Sequence, residues 1–132
     1  MAVIIDKLAW LHIKDGKLLA VRSKGKSLFY LPGGKREAGE SDQQALLREI
    51  SEELSVTLEP STLRYAGTFS GPADGKAAGV TVQLTCYFAG YQGELTPDME
   101  IEELKYLSTE DRAITSIAAW VVMAWLQEQA LI

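Results

Sequence analysis

Cysteine and histidine are nearly missing from this chain: Cys86 and His12 each occur once. One thiol cannot form an internal disulfide, and one thiol with one imidazole cannot assemble a Cys/His zinc cluster. A reducing cytoplasm suits such a chain. Cys86 has no base pattern beside it and reads as a small strand residue, buried or half-buried, and His12 reads in the same way. Positive charge is also short, with 13 Lys and Arg against 18 Asp and Glu, a net charge of −5 and no basic tail or block. That speaks against a nucleic-acid duplex as partner and leaves a small phosphorylated ligand held through metal ions. Long apolar runs are lacking too. The opening Met-Ala-Val-Ile-Ile-Asp-Lys is too short for a signal segment, and no stretch reaches the roughly 20 residues that cross a bilayer, so no membrane partner is expected.

What is present is ordinary globular material. A chain of 132 residues, 47% apolar and 23% charged, is expected to form one domain over residues 1–132, folding alone or as a simple oligomer. Residues 3–13 are rich in Val, Ile, Leu and Trp. Asp15-Gly16 separates them from Lys17-Leu18-Leu19-Ala20-Val21, a strand–turn–strand signal. The loop Arg22-Ser23-Lys24-Gly25-Lys26 carries three cations and reads either as a solvated loop or as a phosphate-facing one. Leu28-Phe29-Tyr30-Leu31 reads as a short strand stopped by Pro32-Gly33-Gly34. Further strand signals cover 63–69, 80–89 and 104–107. A mostly apolar helix over about 116–129 is expected to pack on the sheet, with surplus apolar surface that could serve a homodimer.

The densest chemistry lies between Gly33 and Val56. A helix is expected from Ser41, whose hydroxyl can cap free backbone N–H groups, to about Leu54 or Ser55. With Arg48 set to zero and about 100° per residue, Glu52 falls near 40°, Glu49 near 100° and Glu53 near 140°. Leu46, Ile50, Leu54 and Leu47 follow at roughly 160°, 200°, 240° and 260°, so an apolar stripe runs beside the acids. Glu49 and Glu53 repel at i and i+4, and one arginine does not neutralise three carboxylates. Divalent metal ions would remove the conflict.

The spacing Gly34, five residues, Glu40, seven residues, Arg48-Glu49-Ile50-Ser51-Glu52-Glu53-Leu54-Ser55-Val56 resembles the Nudix box, the signature of the Nudix hydrolases, a family that includes the MutT-like enzymes. Only the final Gly of the pattern differs, being Ser55. The resemblance implies an α/β fold, a Nudix α/β/α sandwich with a mixed β-sheet between helices. It implies metal-dependent hydrolysis of a nucleoside diphosphate linked to another group, with Mg2+ or alternatively Mn2+ as cofactor and a small nucleotide as partner. By residue-for-residue match, Glu52 and Glu53 are the principal metal ligands, Glu49 joins or orients them, and Gly33 lends its carbonyl. Arg48 holds the acids by ion pairing, Glu40 supports them, and Arg22, Gly34 and Lys35 are the candidate substrate-binding residues.

The general base is expected from the acidic segment Asp98-Met99-Glu100-Ile101-Glu102-Glu103, with Glu100 preferred over Glu102, Glu103 and Glu94. Two substrate classes fit. The compact length is similar to that of MutT-like nucleoside triphosphate pyrophosphohydrolases. Pro72, sixteen residues after Val56, resembles ADP-ribose pyrophosphatases of the family. A nucleobase pocket is expected from the first strands, the 70–79 loop and Phe29, Tyr30 or Phe69. A non-catalytic nucleotide-binding domain is the alternative from another class, although such domains usually lose box glutamates and this chain keeps Glu49, Glu52 and Glu53.

Overall fold

A computed structural model describes residues 2–76 and 78–132. The strands are β1 (Val3–Leu11), β2 (Ile13–Lys14), β3 (Lys17–Ser23), β4 (Gly33–Lys35), β5 (Thr57–Leu58), β6 (Arg64–Pro72), β7 (Val80–Phe88), β8 (Tyr91–Gln92) and β9 (Ile101–Leu107); the helices are α1 (Asp42–Leu54) and α2 (Ile117–Glu128). Period-two alternation in β1 and β3 sets the layers, because both faces of these strands are apolar. Leu8 and Trp10 of β1, with Leu19 and Val21 of β3, pack with Leu46, Ile50 and Leu54 of α1. Ala9 and Leu11, with Leu18 and Ala20, pack with Ala118, Val122, Met123 and Leu126 of α2. The result is a sheet layer between two helices, as the resemblance implies.

The main sheet runs β4-β1-β7-β6 and is mixed: β1 and β7 are parallel, from Val3 opposite Val80 to Leu11 opposite Phe88, while β4 and β6 are antiparallel to their neighbours. A second, antiparallel sheet runs β2-β3-β9, and β5 pairs with β8. The expected opening hairpin is therefore shorter than its sequence signal. Asp15 and Gly16 turn the chain with φ of 53° and 72°, yet only β2 pairs with β3 there. β1 is buried on both faces over Leu8–Leu11 and takes a central place in the other sheet.

Leu28–Leu31 differs as well. Phe29 and Tyr30 make single bridges to Thr115 and Val21, and the strand begins only at Gly33. Pro32, just before it, has no N–H to give to a ladder and contributes its carbonyl, which accepts from the Trp10 N–H at 2.9 Å. β5 and β8 are two residues each, too short to leave a pattern in the sequence. In α2, Trp125 stands against Phe69 with ring centroids 5.2 Å apart, and the Arg112 guanidinium lies 5.2 Å from the Trp120 ring centre. Much of the apolar surplus on α2 is thus used within the chain. Among the described residues no helix is long and apolar enough to cross a membrane.

Helix α1 starts where its cap predicts. Ser41 Oγ accepts from the Gln44 N–H, and the Gln44 side chain accepts from the Ser41 N–H, a reciprocal capping box. At the other end Ser55 has φ 61° and ψ 24°, the left-handed conformation that glycine adopts without a steric penalty. Ser55→Gly is expected to stabilise the protein by about 1 kcal/mol without changing activity. Chemical denaturation of the two proteins side by side checks it.

Candidate active site

A hydrogen bond from the backbone ties the glycine loop to the acidic helix. The Gly33 N–H donates to Glu53 Oε1 at 3.0 Å, tying β4 to the C-terminal half of α1. Gly33 has φ 145°, and a Cβ built there would lie 2.0 Å from the Leu8 carbonyl oxygen. Only glycine lets β4 press this close to β1. At Gly34 a Cβ would meet the Glu49 carboxylate at 2.5 Å, so this glycine clears room for that side chain. The loop is therefore shaped around Glu49 and Glu53 as much as around its own turn.

Arg48 organises the acids on the outer side. Its Nε and Nη2 donate to the two oxygens of Glu40 at 2.7 and 2.9 Å, Nη1 donates to Glu49 at 2.9 Å, and Nη2 also donates to the Lys35 carbonyl at 3.1 Å. A bidentate arginine–carboxylate pair of this kind is directional as well as charged. Its hydrogen bonds hold the Glu40 carboxyl down at about 2 and push the Arg48 guanidinium above its ordinary value. Glu52 is exposed and reaches Arg48 at 3.5 Å. Glu40 and Arg48 thus form the brace that carries Glu49 and fixes loop to helix.

A cavity of about 500 Å³ opens beside Glu53, lined by Glu49, Glu53 and Glu100 together with Gly33, Gly34 and Lys35. Glu100 arrives there because its segment caps the end of α1: the Thr96 and Asp98 N–H groups donate to the Leu54 and Glu53 carbonyls, each at 2.9 Å. Glu53 is 7% exposed, and its carboxyl is pushed up to about 8. Burial is the main cause, with Glu49 and Glu100 adding repulsion against the opposing effects of the Gly33 N–H and Lys7. Burial also raises Glu49, against the hydrogen bond from Arg48. A carboxylate in this position is costly unless a cation joins it.

The donor set suits a hard divalent cation, since carboxylate and carbonyl oxygens are its preferred ligands. Among the described residues no three acidic, histidine or cysteine side chains converge to hold a metal on their own. Glu53 and Glu49 would hold the ion from the protein side.

The remaining expected residues are distributed unevenly. Arg22 does not line the cavity: its guanidinium pairs with Glu102 at 2.7 Å and Glu103 at 3.0 Å across β3 and β9, and donates to the Lys26 carbonyl. Glu52 is not among the lining residues either. Of the aromatics proposed for a base pocket, Tyr30 lines the cavity, Phe29 is buried in the core and Phe69 packs on Trp125. From the 70–79 loop, Ala73, Asp74 and Lys76 line it. Asp74 also accepts from the Ile117 N–H at 2.9 Å, pinning that loop to the start of α2. Sequence reasoning included the first strands and the 70–79 loop in the pocket but singled out none of Lys7, Asp74 and Lys76. Lys7 left a trace as a charge placed just before the buried run of β1, whereas the other two carry no signal beyond turn composition. Cys86 is fully buried, and burial pushes its thiol up to about 12, so it stays protonated and inert.

Comparison with known proteins shows the family and the fold. The NUDIX domain profile matches residues 8–126, and the chain belongs to that family. An ADP-ribose pyrophosphatase of Methanocaldococcus jannaschii is 32% identical over 96 residues, which is 70% of this chain and 55% of that protein. The chain thus spans little more than half the length of that curated relative. The solution structure of the Escherichia coli ORF135 protein superposes with a TM-score of 0.72 at 25% identity, covering 98% of this chain and 93% of that one. The crystal structure of a MutT NUDIX hydrolase from Burkholderia pseudomallei gives a TM-score of 0.67 at 24% identity, covering 79% and 82% of the two chains.

Proposed function

We propose that this protein hydrolyses a pyrophosphate bond in a nucleoside diphosphate linked to another group, with Mg2+ or Mn2+ as cofactor. The observation that carries the reading is the bond from the Gly33 N–H to the buried Glu53 carboxyl, beside a cavity that Gly33, Gly34, Glu49 and Glu53 line together. Water attacks one phosphorus, the bond from that phosphorus to the bridging oxygen breaks, and the proton lost by the water is taken by a carboxylate. The chemistry that a divalent ion would supply there is neutralisation of phosphate oxygens and a lowered pKa of the attacking water. Glu53 and Glu49 would hold that ion, with the Gly33 carbonyl as a further ligand, while Glu52 stands outside the cavity beside Arg48. Arg48 and Glu40 fix Glu49, and Glu100 is the base.

The preferred substrate is a nucleoside triphosphate. Four lysines, Lys7, Lys26, Lys35 and Lys76, line the cavity beside four acids, Glu49, Glu53, Asp74 and Glu100, so once a divalent ion has taken up carboxylates the lysines are left to meet a chain of phosphates. The 32% identical relative named an ADP-ribose pyrophosphatase supports a second reading, in which ADP-ribose or another nucleotide sugar is cleaved. One panel decides: canonical and oxidised nucleoside triphosphates, ADP-ribose, other sugar nucleotides and dinucleoside polyphosphates, each with Mg2+. The highest kcat/KM is expected for a triphosphate. A higher value for ADP-ribose selects the second reading, and binding without turnover across the panel identifies a non-catalytic nucleotide-binding domain.

A further inference from the structure

Lys7 sits where a lysine has no evident structural use. It pairs with Lys35 across β1 and β4 and with Leu84 across β1 and β7, so the three side chains form one row on the same sheet face. Ile5 and Val82 form the next row on that face, and all five residues line the cavity that holds Glu49 and Glu53. Among the described residues no carboxylate lies within ion-pair distance of Lys7 or Lys35.

A half-buried cation opposite a second cation is an unfavourable arrangement. Burial and then Lys35 lower the affinity of Lys7 for its proton, and attraction from Glu53 and Glu49 does not restore it. An anion bound in this row would relieve both effects. The neighbouring apolar row would accept the uncharged part of the same ligand.

We infer that Lys7, with Lys35 opposite it, binds a phosphate of the substrate at the boundary between the carboxylates and the apolar floor of Ile5, Val82 and Leu84. The inference rests on the substrate position proposed above and adds a binding residue that the box does not contain. Lys7 is a substrate-binding residue that does not take part in proton transfer. Its loss should act on KM and leave kcat nearly intact.

The test is calorimetric titration with inorganic pyrophosphate in EDTA at low ionic strength, which reads anion binding without metal or turnover. Lys7→Met is expected to weaken binding about tenfold or more, as loss of a charge-assisted hydrogen bond does, while Lys7→Arg stays within about threefold of wild type. Lys17→Met, an exposed site outside the cavity, should bind as wild type. With nucleotide and Mg2+, Lys7→Met should raise KM about tenfold with kcat within about threefold. Lys35→Met, at an exposed position, gives a second variant should Lys7→Met fail to fold.

Equal pyrophosphate affinity in wild type and Lys7→Met, or none in wild type, overturns the inference and leaves the hydrolase reading standing if nucleotides are turned over. Lysine-dependent pyrophosphate binding in a protein that turns over no nucleotide supports the inference and overturns the hydrolase reading.

Discussion

Glu53→Gln should cut turnover by at least about a hundredfold and, in the same molecule, make the metal-free protein more stable at pH 8. The activity loss follows from replacing a carboxylate ligand with a neutral amide. The stability gain follows from linkage. The Glu53 carboxyl, ordinarily near 4.5, stands at about 8 in the folded protein because it is buried beside Glu49 and Glu100, with only the Gly33 N–H and Lys7 opposing. Between those two values the folded state holds a proton that the unfolded state has released, so stability falls as pH rises through that window. The loss is absent below about pH 4.5 and nearly complete by pH 8, where it is on the order of 4 kcal/mol.

Glutamine escapes this loss and can still accept from the Gly33 N–H. The variant should therefore melt roughly 10–20 °C above wild type in EDTA at pH 8 and much closer to wild type at pH 5. Excess Mg2+ should raise the wild-type melting temperature and leave the variant unmoved, because only the carboxylate form gains the ion. Thermal denaturation at two pH values, with and without metal, measures all of this. A variant that melts below wild type at pH 8 would show that the glutamate is held by partners and not strained by burial.

Gly33→Ala is expected to be severely damaging, since among the glycines described it is the one where an added Cβ comes nearest to another atom. The added Cβ would overlap the Leu8 carbonyl oxygen at 2.0 Å, and backbone cannot yield as a flexible side chain can. The φ of 145° adds strain of its own. β4 would have to move off β1, losing its pairing at Leu8 and Ala9 and the bond to Glu53. A loss of roughly 3 kcal/mol or more in stability is expected, with activity falling at least as far as in Glu53→Gln. Urea denaturation and a turnover assay on the same preparation check the pair. Stability within about 0.5 kcal/mol of wild type would mean that β4 is not pressed on β1 as described.

The box was legible because its residues are close in sequence and fixed by one helix. Rotation about that helix even contains a distinction that grouping three acids on one arc conceals. Glu53 falls near 140°, beside the apolar stripe that starts near 160°, while Glu52 falls near 40°, beside Arg48. In the structure Glu53 is buried in the cavity and Glu52 is exposed next to Arg48. The layers were expected from the resemblance that the box carries, and the family profile and structural neighbours agree with them.

What could not be read depends on pairing between distant strands. Lys7 meets Lys35 only because β4 folds back along β1. Arg22 lies opposite Glu103 in the β3–β9 register, a partner eighty-one positions away, and that register is invisible in the local sequence. Loop geometry was equally hidden. Asp74 and Lys76 reach the cavity because Asp74 caps α2, forty-three residues further on. The two-residue strands β5 and β8 are below the length at which periodicity means anything.

The most direct test of the central claim is a Mg2+ titration of nucleotide turnover with the products identified, wild type beside Glu53→Gln. The account predicts a nucleoside monophosphate together with the other phosphorylated fragment of the substrate, formed only when divalent metal is present and at least about a hundredfold more slowly in the variant. Equal turnover in EDTA, or an equal rate in Glu53→Gln, would contradict it.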